Sequence, residues 1–255
     1  MNDEVLCSFL LPTRGTPHLT IKSLKSIIQY SSDTIPYEVL IAIDSDDKES
    51  LEIINDIYEL FNKTKLGKVK IIITERHHYY GLHKYYNSLA SLSNGNLLIL
   101  WNNNAYILPT LIGGIGIDVT AEESKWDITL NQDYNNLESH IWLLKSTEIY
   151  FGSTNRPHVS NHSFPILLQK TYKLLGHIST SPLCDRYLNS VCGIENNNQS
   201  IMKNSRLLLE HHQLPEEIVV NPEDNQKAWA IHNTEEVQEY ILKDRNLIMR
   251  ELEVR

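Results

Sequence analysis

The first hundred residues alternate short apolar runs with amphipathic stretches, and the two periods separate cleanly. Val5 to Leu11 is a mostly apolar run ended by Pro12, the pattern of a strand buried on both faces. Thr16-Pro17 then reads as an N-cap with proline at the first helical position. Ile21, Leu24, Ile27 and Ile28 follow at helical spacing on one face. Tyr37 to Ile43 predicts a second strand, closed by Asp44-Ser45-Asp46-Asp47, and Leu51, Ile54, Ile57, Tyr58 and Phe61 predict the next helix. Val69 to Thr74, rich in β-branched residues, predicts a third strand. Leu82, Tyr85, Tyr86, Leu89 and Leu92 mark a third helix with Asn94-Gly95 as its stop, and Leu97 to Trp101 reads as a fourth strand. This βαβαβαβ order implies an α/β fold, with a mainly parallel sheet carrying helices on both faces.

Past residue 105 the pattern is less regular. Gly113-Gly114-Ile115-Gly116 reads as a bend or tight loop. Ile128 to Leu130, Ile141 to Leu144 and Pro165 to Leu168 read as strands, and Tyr172 to Leu175 and Pro182 to Val191 as helical. From Asn233 onward, with Asn233 and Glu236 spaced as a capping box, Val237, Tyr240, Ile241, Leu247 and Ile248 line one face of a helix. There is no internal repeat, low-complexity tract or linker, so residues 1–255 are expected to form one domain.

Composition narrows the partners. Apolar residues at 41% and charged residues at 22% are globular values, so a core of this size needs no disulfide or metal staple. A net charge of -9 disfavours a nucleic-acid backbone or an anionic membrane, while leaving room for a small anionic ligand at a local positive site. Cys7, Cys184 and Cys192 are odd in number and lack metal-type spacing, which predicts core thiols in a reducing compartment. The polar, acidic start does not read as a signal peptide, and no apolar run has the length of a membrane span. A soluble, cytoplasmic protein is expected.

In an open α/β sheet, ligands bind beyond the carboxyl ends of the strands near a topological switch point. That rule nominates Thr13-Arg14, Asp44 to Asp47, Glu75-Arg76 and Asn102 to Asn104. Arg14 and Arg76 suit phosphate, and Asp44 suits a base or ribose, although an acidic residue after a strand also serves as an N-cap. Neither a G-x-G-x-x-G after the first strand nor a P-loop is present.

Phe9-Leu10-Leu11-Pro12-Thr13-Arg14-Gly15, then Ser23 to Ser26, then Tyr37 to Asp44 resembles the opening of family 2 GT-A glycosyltransferases. Gly81 through Asn87 to Leu89, Asn94 to Leu98, Phe164 to Ile166 with Leu175-Gly176, Cys184-Asp185-Arg186 and Glu210-His211-His212 continue the resemblance in order, over roughly residues 5 to 215. It implies a nucleotide-binding half (1–104), an acceptor-side half (105–215) and a C-terminal extension (216–255). By the same resemblance, Lys84 and Asn87 would contact the donor, a nucleoside-diphosphate sugar. Asp185 would be the general base for an inverting transfer to a glycan or other hydroxyl acceptor, and Asn104 with His211 or His212 would stand where Mn²⁺ or Mg²⁺ is held.

The departure lies in that last feature. Where the family carries an acidic D-x-D-like motif, this chain has Asn102, Asn103 and Asn104. Amide oxygens ligate a hard cation without neutralising it, so divalent-metal affinity should be much reduced. Three readings stay open: a transferase without metal, a metal held by other groups, and a catalytically inactive binding module. A sugar-1-phosphate nucleotidyltransferase shares the strand order, but Pro12 to Thr16 lacks the glycine-rich loop that reading requires.

Overall fold

Strands β1 (Cys7–Thr13), β2 (Tyr37–Asp44), β3 (Gly67–Thr74) and β4 (Leu97–Leu100) lie parallel in the order β3-β2-β1-β4. The sheet continues through β5 (Ala105–Ile107), β6 (Leu143–Phe151), β7 (His158–Ser160), β8 (Pro165–Leu168) and β11 (Met202–His212). Beyond β4 its order is β8-β6-β11-β5, with β7 also paired to β6. β8 is antiparallel to both β4 and β6, so β6 and β11 run in the direction of the first four strands. A separate ribbon pairs β9 (Glu195–Asn196) with β10 (Gln199–Ser200). The computed structural model describes residues 4–108, 125–151, 158–160, 163–193, 195–196, 199–212 and 221–253. The glycine run at residues 113–116 lies outside them.

Alternation within the strands sorts the core into two faces. Phe9, Leu11, Val39, Ile41, Leu97 and Ile99 point to one side, packed beneath α1 (Pro17–Gln29), α3 (Ile54–Phe61) and α5 (Trp126–Asn135). Leu10, Leu40, Leu98 and Leu100 point to the other, beneath α4 (Leu82–Ser91), α6 (Gln169–Leu175) and α7 (Cys184–Cys192). Because both faces are covered, β2 is buried at all eight positions and is apolar without a break from Val39 to Ile43. On the first face, rings meet edge to face from Trp101 through Phe9 and Trp126 to Tyr37, with centroids 5.2, 5.1 and 5.1 Å apart. Such pairs contribute about 0.5–1.5 kcal/mol each beyond their buried area.

Several expectations need correction. β1 runs through Pro12 to Thr13 instead of stopping at the proline. The backbone of even-numbered β1 residues faces β4, and that pairing ends at Leu10, so the missing proline N–H leaves no ladder bond unmade. The second helix is two: α2 (Lys48–Glu52), capped by the Asp47 side chain, and α3, broken apart at Ile53. Ile128 to Leu130 is helical within α5, not a strand. Gly95 is no helix stop, since α4 ends at Ser91. A Cβ there would sit 2.5 Å from the Ser8 backbone nitrogen, so the residue permits close approach of the chain to β1.

At the N-terminal end of the strands Glu38 is buried yet satisfied. It accepts from the Ser8 hydroxyl at 2.7 Å and the Asn94 backbone N–H at 2.5 Å, and pairs with Lys70 at 2.9 Å. Burial pushes its carboxyl up, but those bonds outweigh it and hold the pKa below the usual value.

Two C-terminal helices complete the fold. α8 (Pro222–His232) starts at Asn221, whose side chain accepts from the Glu223 N–H. α9 (Glu235–Glu253) begins after Thr234, whose hydroxyl accepts from the Val237 N–H, so the cap is Thr234 and not Asn233. α9 packs on α6 and α7 and buries Val237, Ile241 and Ile248. Its buried Asp244 accepts from the Tyr187 hydroxyl at 2.5 Å and meets His177 at 3.3 Å. No described helix is long and apolar enough to cross a membrane.

Candidate functional site

The strand order turns at β1 and β4, because β2 and β3 are added on one side of β1 and β4 on the other. The connections leaving these two strands carry Thr13, Arg14, Asn102 and Asn103, at the switch point where such folds hold ligands. Asn103 closes the gap. Its Nδ2 donates to Thr16 Oγ1 at 2.5 Å and reaches Thr13 Oγ1 at 3.3 Å. Thr16 precedes α1 but makes no side-chain cap bond, its hydroxyl being engaged with Asn103 and the Arg14 carbonyl.

Asp44 ends β2 and is 2% exposed. One oxygen accepts from the Tyr85 hydroxyl at 2.5 Å, and the other from Arg14 Nη1 at 2.9 Å. The same guanidinium pairs with exposed Asp46 and holds that carboxyl below its usual pKa. Burial, then the bond to Asp44, pushes the Tyr85 phenol up. Asp47 instead caps α2 and accepts from the Gly15 N–H at 2.8 Å. Arg76 and Lys84 are exposed. Asn87 is committed elsewhere: its Oδ1 accepts from Ile178 and Ser179 N–H at 2.8 and 3.3 Å, and its Nδ2 donates to the Ser179 carbonyl at 2.8 Å.

Asp185 stands in the first turn of α7. Burial raises its pKa, and the nearby Glu148 carboxylate adds to the rise. Burial, then Asp185, pushes the Tyr79 phenol up to about 12. Burial, with smaller contributions from Cys184 and Asp185, raises Tyr86, whose hydroxyl donates to Asn102 Oδ1 at 3.0 Å and the Trp101 carbonyl at 3.1 Å. Tyr86 thus bonds the asparagine turn and lies close enough to Asp185 to feel its charge. Glu148 was not nominated from sequence. It is fully buried on β6, accepts from the Ser163 N–H at 2.9 Å and lies 3.1 Å from His211 Nδ1. Its only sequence signal is a carboxylate inside a strand-like run, ahead of Ile149. His211 also meets the edge of Phe164, and His212 Nε2 lies 3.0 Å from Glu210.

α8 fastens the rim. Asp224 lies 3.8 Å from His78, Trp229 carries the Arg186 guanidinium at 4.4 Å, and His232 Nδ1 bonds the Ser181 hydroxyl at 2.7 Å. A recess of about 330 Å³ between α7 and α9, lined by Asn189, Gly193, Ile241 and Arg245, lies at the end of α7 opposite Asp185. It holds none of these groups.

The donor set at the asparagine turn does not fit Mn²⁺ or Mg²⁺. Asn102 Oδ1 already accepts from Tyr86, and Asn103 presents an N–H to the threonines. Asn104 Nδ2 donates to the His212 carbonyl at 2.7 Å, which leaves a single buried Oδ1 without a donor among the described residues. Among the described residues, no three His, Cys, Asp or Glu side chains converge as a cation site. A hard divalent cation takes about six oxygen ligands, with at least one or two protein carboxylates as a rule.

No protein-family model matches the chain, and neither does any curated protein. Solved structures do. The Staphylococcus aureus TarS fragment 1–349 in complex with UDP superimposes with a TM-score of 0.57 at 14% identity, over 94% of this chain and 65% of that one. Mannosyltransferase PcManGT from Pyrobaculum calidifontis, in complex with GDP-Man and Mn²⁺, gives 0.55 at 10% identity, over 83% and 58%. A TarS structure gives 0.51 at 15%, over 91% and 40%. The chain thus spans less than two thirds of the length of these proteins. Likeness at such identities establishes architecture alone: a single α/β domain with a mostly parallel sheet flanked by helices, as in these structures.

Proposed function

We propose that this protein is a glycosyltransferase that moves a sugar from a nucleoside diphosphate to an acceptor hydroxyl. The nucleoside lies over the ends of β1, β2 and β3, where Asp44 accepts from base or ribose while Thr13, Arg14 and Arg76 face the polar groups between. The diphosphate lies toward Asn102 to Asn104, His211 and His212. Asp185 takes the acceptor hydroxyl proton as that oxygen attacks the anomeric carbon, and the bond to the diphosphate breaks on the opposite side, inverting the centre. The observation that carries this reading is the placement of Asp185. Burial raises its carboxyl above the usual value, and its charge reaches Tyr86, which bonds the switch-point turn.

The test is transfer from UDP-, GDP-, CDP- and dTDP-sugars, read as release of nucleoside diphosphate. One donor class should be consumed, and Asp185→Asn should stop turnover while leaving nucleotide binding within about twofold. If Asp185→Asn turned over like the wild type, Asp185 would not be the base. The neutral asparagine turn favours a second reading, a binding module without turnover. Nucleotide binding with no consumption of any donor would support that one.

A further inference from the structure

The asparagine turn has properties that a mere loss of carboxylates does not explain. Its three side chains make three different structural bonds. Asn102 receives the Tyr86 hydroxyl of α4, Asn103 donates to the threonines between β1 and α1, and Asn104 donates to the end of β11. A second bond doubles the last contact, from the His212 N–H to the Asn104 carbonyl at 3.1 Å. The Asn104 amide has a determined orientation, since the His212 carbonyl can only accept a hydrogen bond. Aspartate at 104 would set an anionic oxygen against that carbonyl. The turn is therefore built around amide donors, and a carboxylate at 104 would break it.

The Asn104 lone pair points the same way. The Asn104 Oδ1, buried and without a donor among the described residues, is an acceptor only. A phosphate oxygen has no proton to offer it at neutral pH, but a ribose or sugar hydroxyl does. A buried acceptor left without a partner is destabilising, so a ligand hydroxyl arriving there recovers a bond the free protein lacks.

We propose that this protein holds the nucleoside diphosphate of its donor without a divalent cation. The inference rests on the donor-binding reading above. Asn104 Oδ1 takes a donor hydroxyl, and the exposed cations Arg76, after β3, and Lys84, on α4, supply positive charge toward the diphosphate, Arg14 being paired with Asp44 and Asp46.

The experiment is calorimetric titration of UDP and of GDP into the protein, once in EDTA and once in Mn²⁺. The expected result is binding of one nucleotide with dissociation constants that agree within threefold. Binding that is more than threefold tighter in Mn²⁺, or seen only there, overturns the inference and leaves the donor reading intact. No binding of either nucleotide in either buffer removes the donor reading, and the inference with it. Asn102→Asp adds a carboxylate while keeping an acceptor for the Tyr86 hydroxyl. It should make binding at least threefold tighter in Mn²⁺ than in EDTA. A folded Asn102→Asp that stays indifferent to Mn²⁺ places the diphosphate away from the turn and also overturns the inference.

Discussion

Replacing Asp44 with alanine separates a ligand-facing carboxylate from a structural one. Asp44 is buried and joins two elements, Arg14 after β1 and Tyr85 on α4. A buried hydrogen bond to a charged group contributes about 1.5–3 kcal/mol, and the Tyr85 bond is of that kind. The Arg14 arm is a third exposed and keeps Asp46, so screening reduces its share to about 0–1 kcal/mol. Together the loss is about 3 kcal/mol. For a domain of this size about 3 °C accompanies each kcal/mol, so Asp44→Ala should lower Tm by about 9 °C. Asp44→Asn, which keeps an acceptor for Tyr85, should lose about half as much. Asp46→Ala should leave Tm unchanged. Differential scanning calorimetry without ligand decides the matter: a fall under about 3 °C for Asp44→Ala would mean that the carboxylate is not a structural joint, and the reasoning fails.

Further outcomes follow from other contacts. Asp185→Asn should raise Tm at neutral pH. A carboxyl whose folded pKa lies above its unfolded value favours the folded state when protonated, so the wild type gains stability as pH falls through the folded pKa and the variant's advantage disappears there; melting curves at several pH values test this. Transfer by the wild type should decline as pH falls through the same raised pKa, an acid limb readable in a pH–rate profile. Asn87→Ala frees two N–H groups and a carbonyl in the Ile178–Ser179 segment, and should cost about 2–3 kcal/mol in denaturant titration while leaving nucleotide affinity unchanged. Gly95→Ala forces a methyl against the β1 backbone and should yield less soluble protein with a clearly lowered Tm.

The architecture of the first hundred residues was readable because their strands are covered on both faces. β1, β2 and β4 are nearly pure apolar runs, and the helices between them carry one stripe each. Their polar ends then located Arg14, Asp44 and Asn102 by rule. Beyond residue 105 local pattern and fold diverge. Ile128 to Leu130 is an apolar triplet that suits strand or helix, and only packing under Phe9 and Tyr37 settles it as helix. α8 has no apolar stripe, since it buries only Ala228 and His232 and is held by Asp224, Lys227 and Trp229 reaching to other elements. Its start, Asn221-Pro222-Glu223-Asp224, carries a capping asparagine with proline at the first helical position. Glu148 became visible only in three dimensions, because its partners Ser163 and His211 lie 15 and 63 residues away.

The place of α9 has a consequence for how the protein is made. It does not touch the sheet as a covering layer; it lies outside α6 and α7, and it follows every other described element in the chain. During synthesis the whole sheet can therefore assemble while the flank of α7 that α9 covers, Tyr187 among it, still faces water. A pause after β11 has emerged and before α9 has would display that flank, and α9, on emerging, would close it.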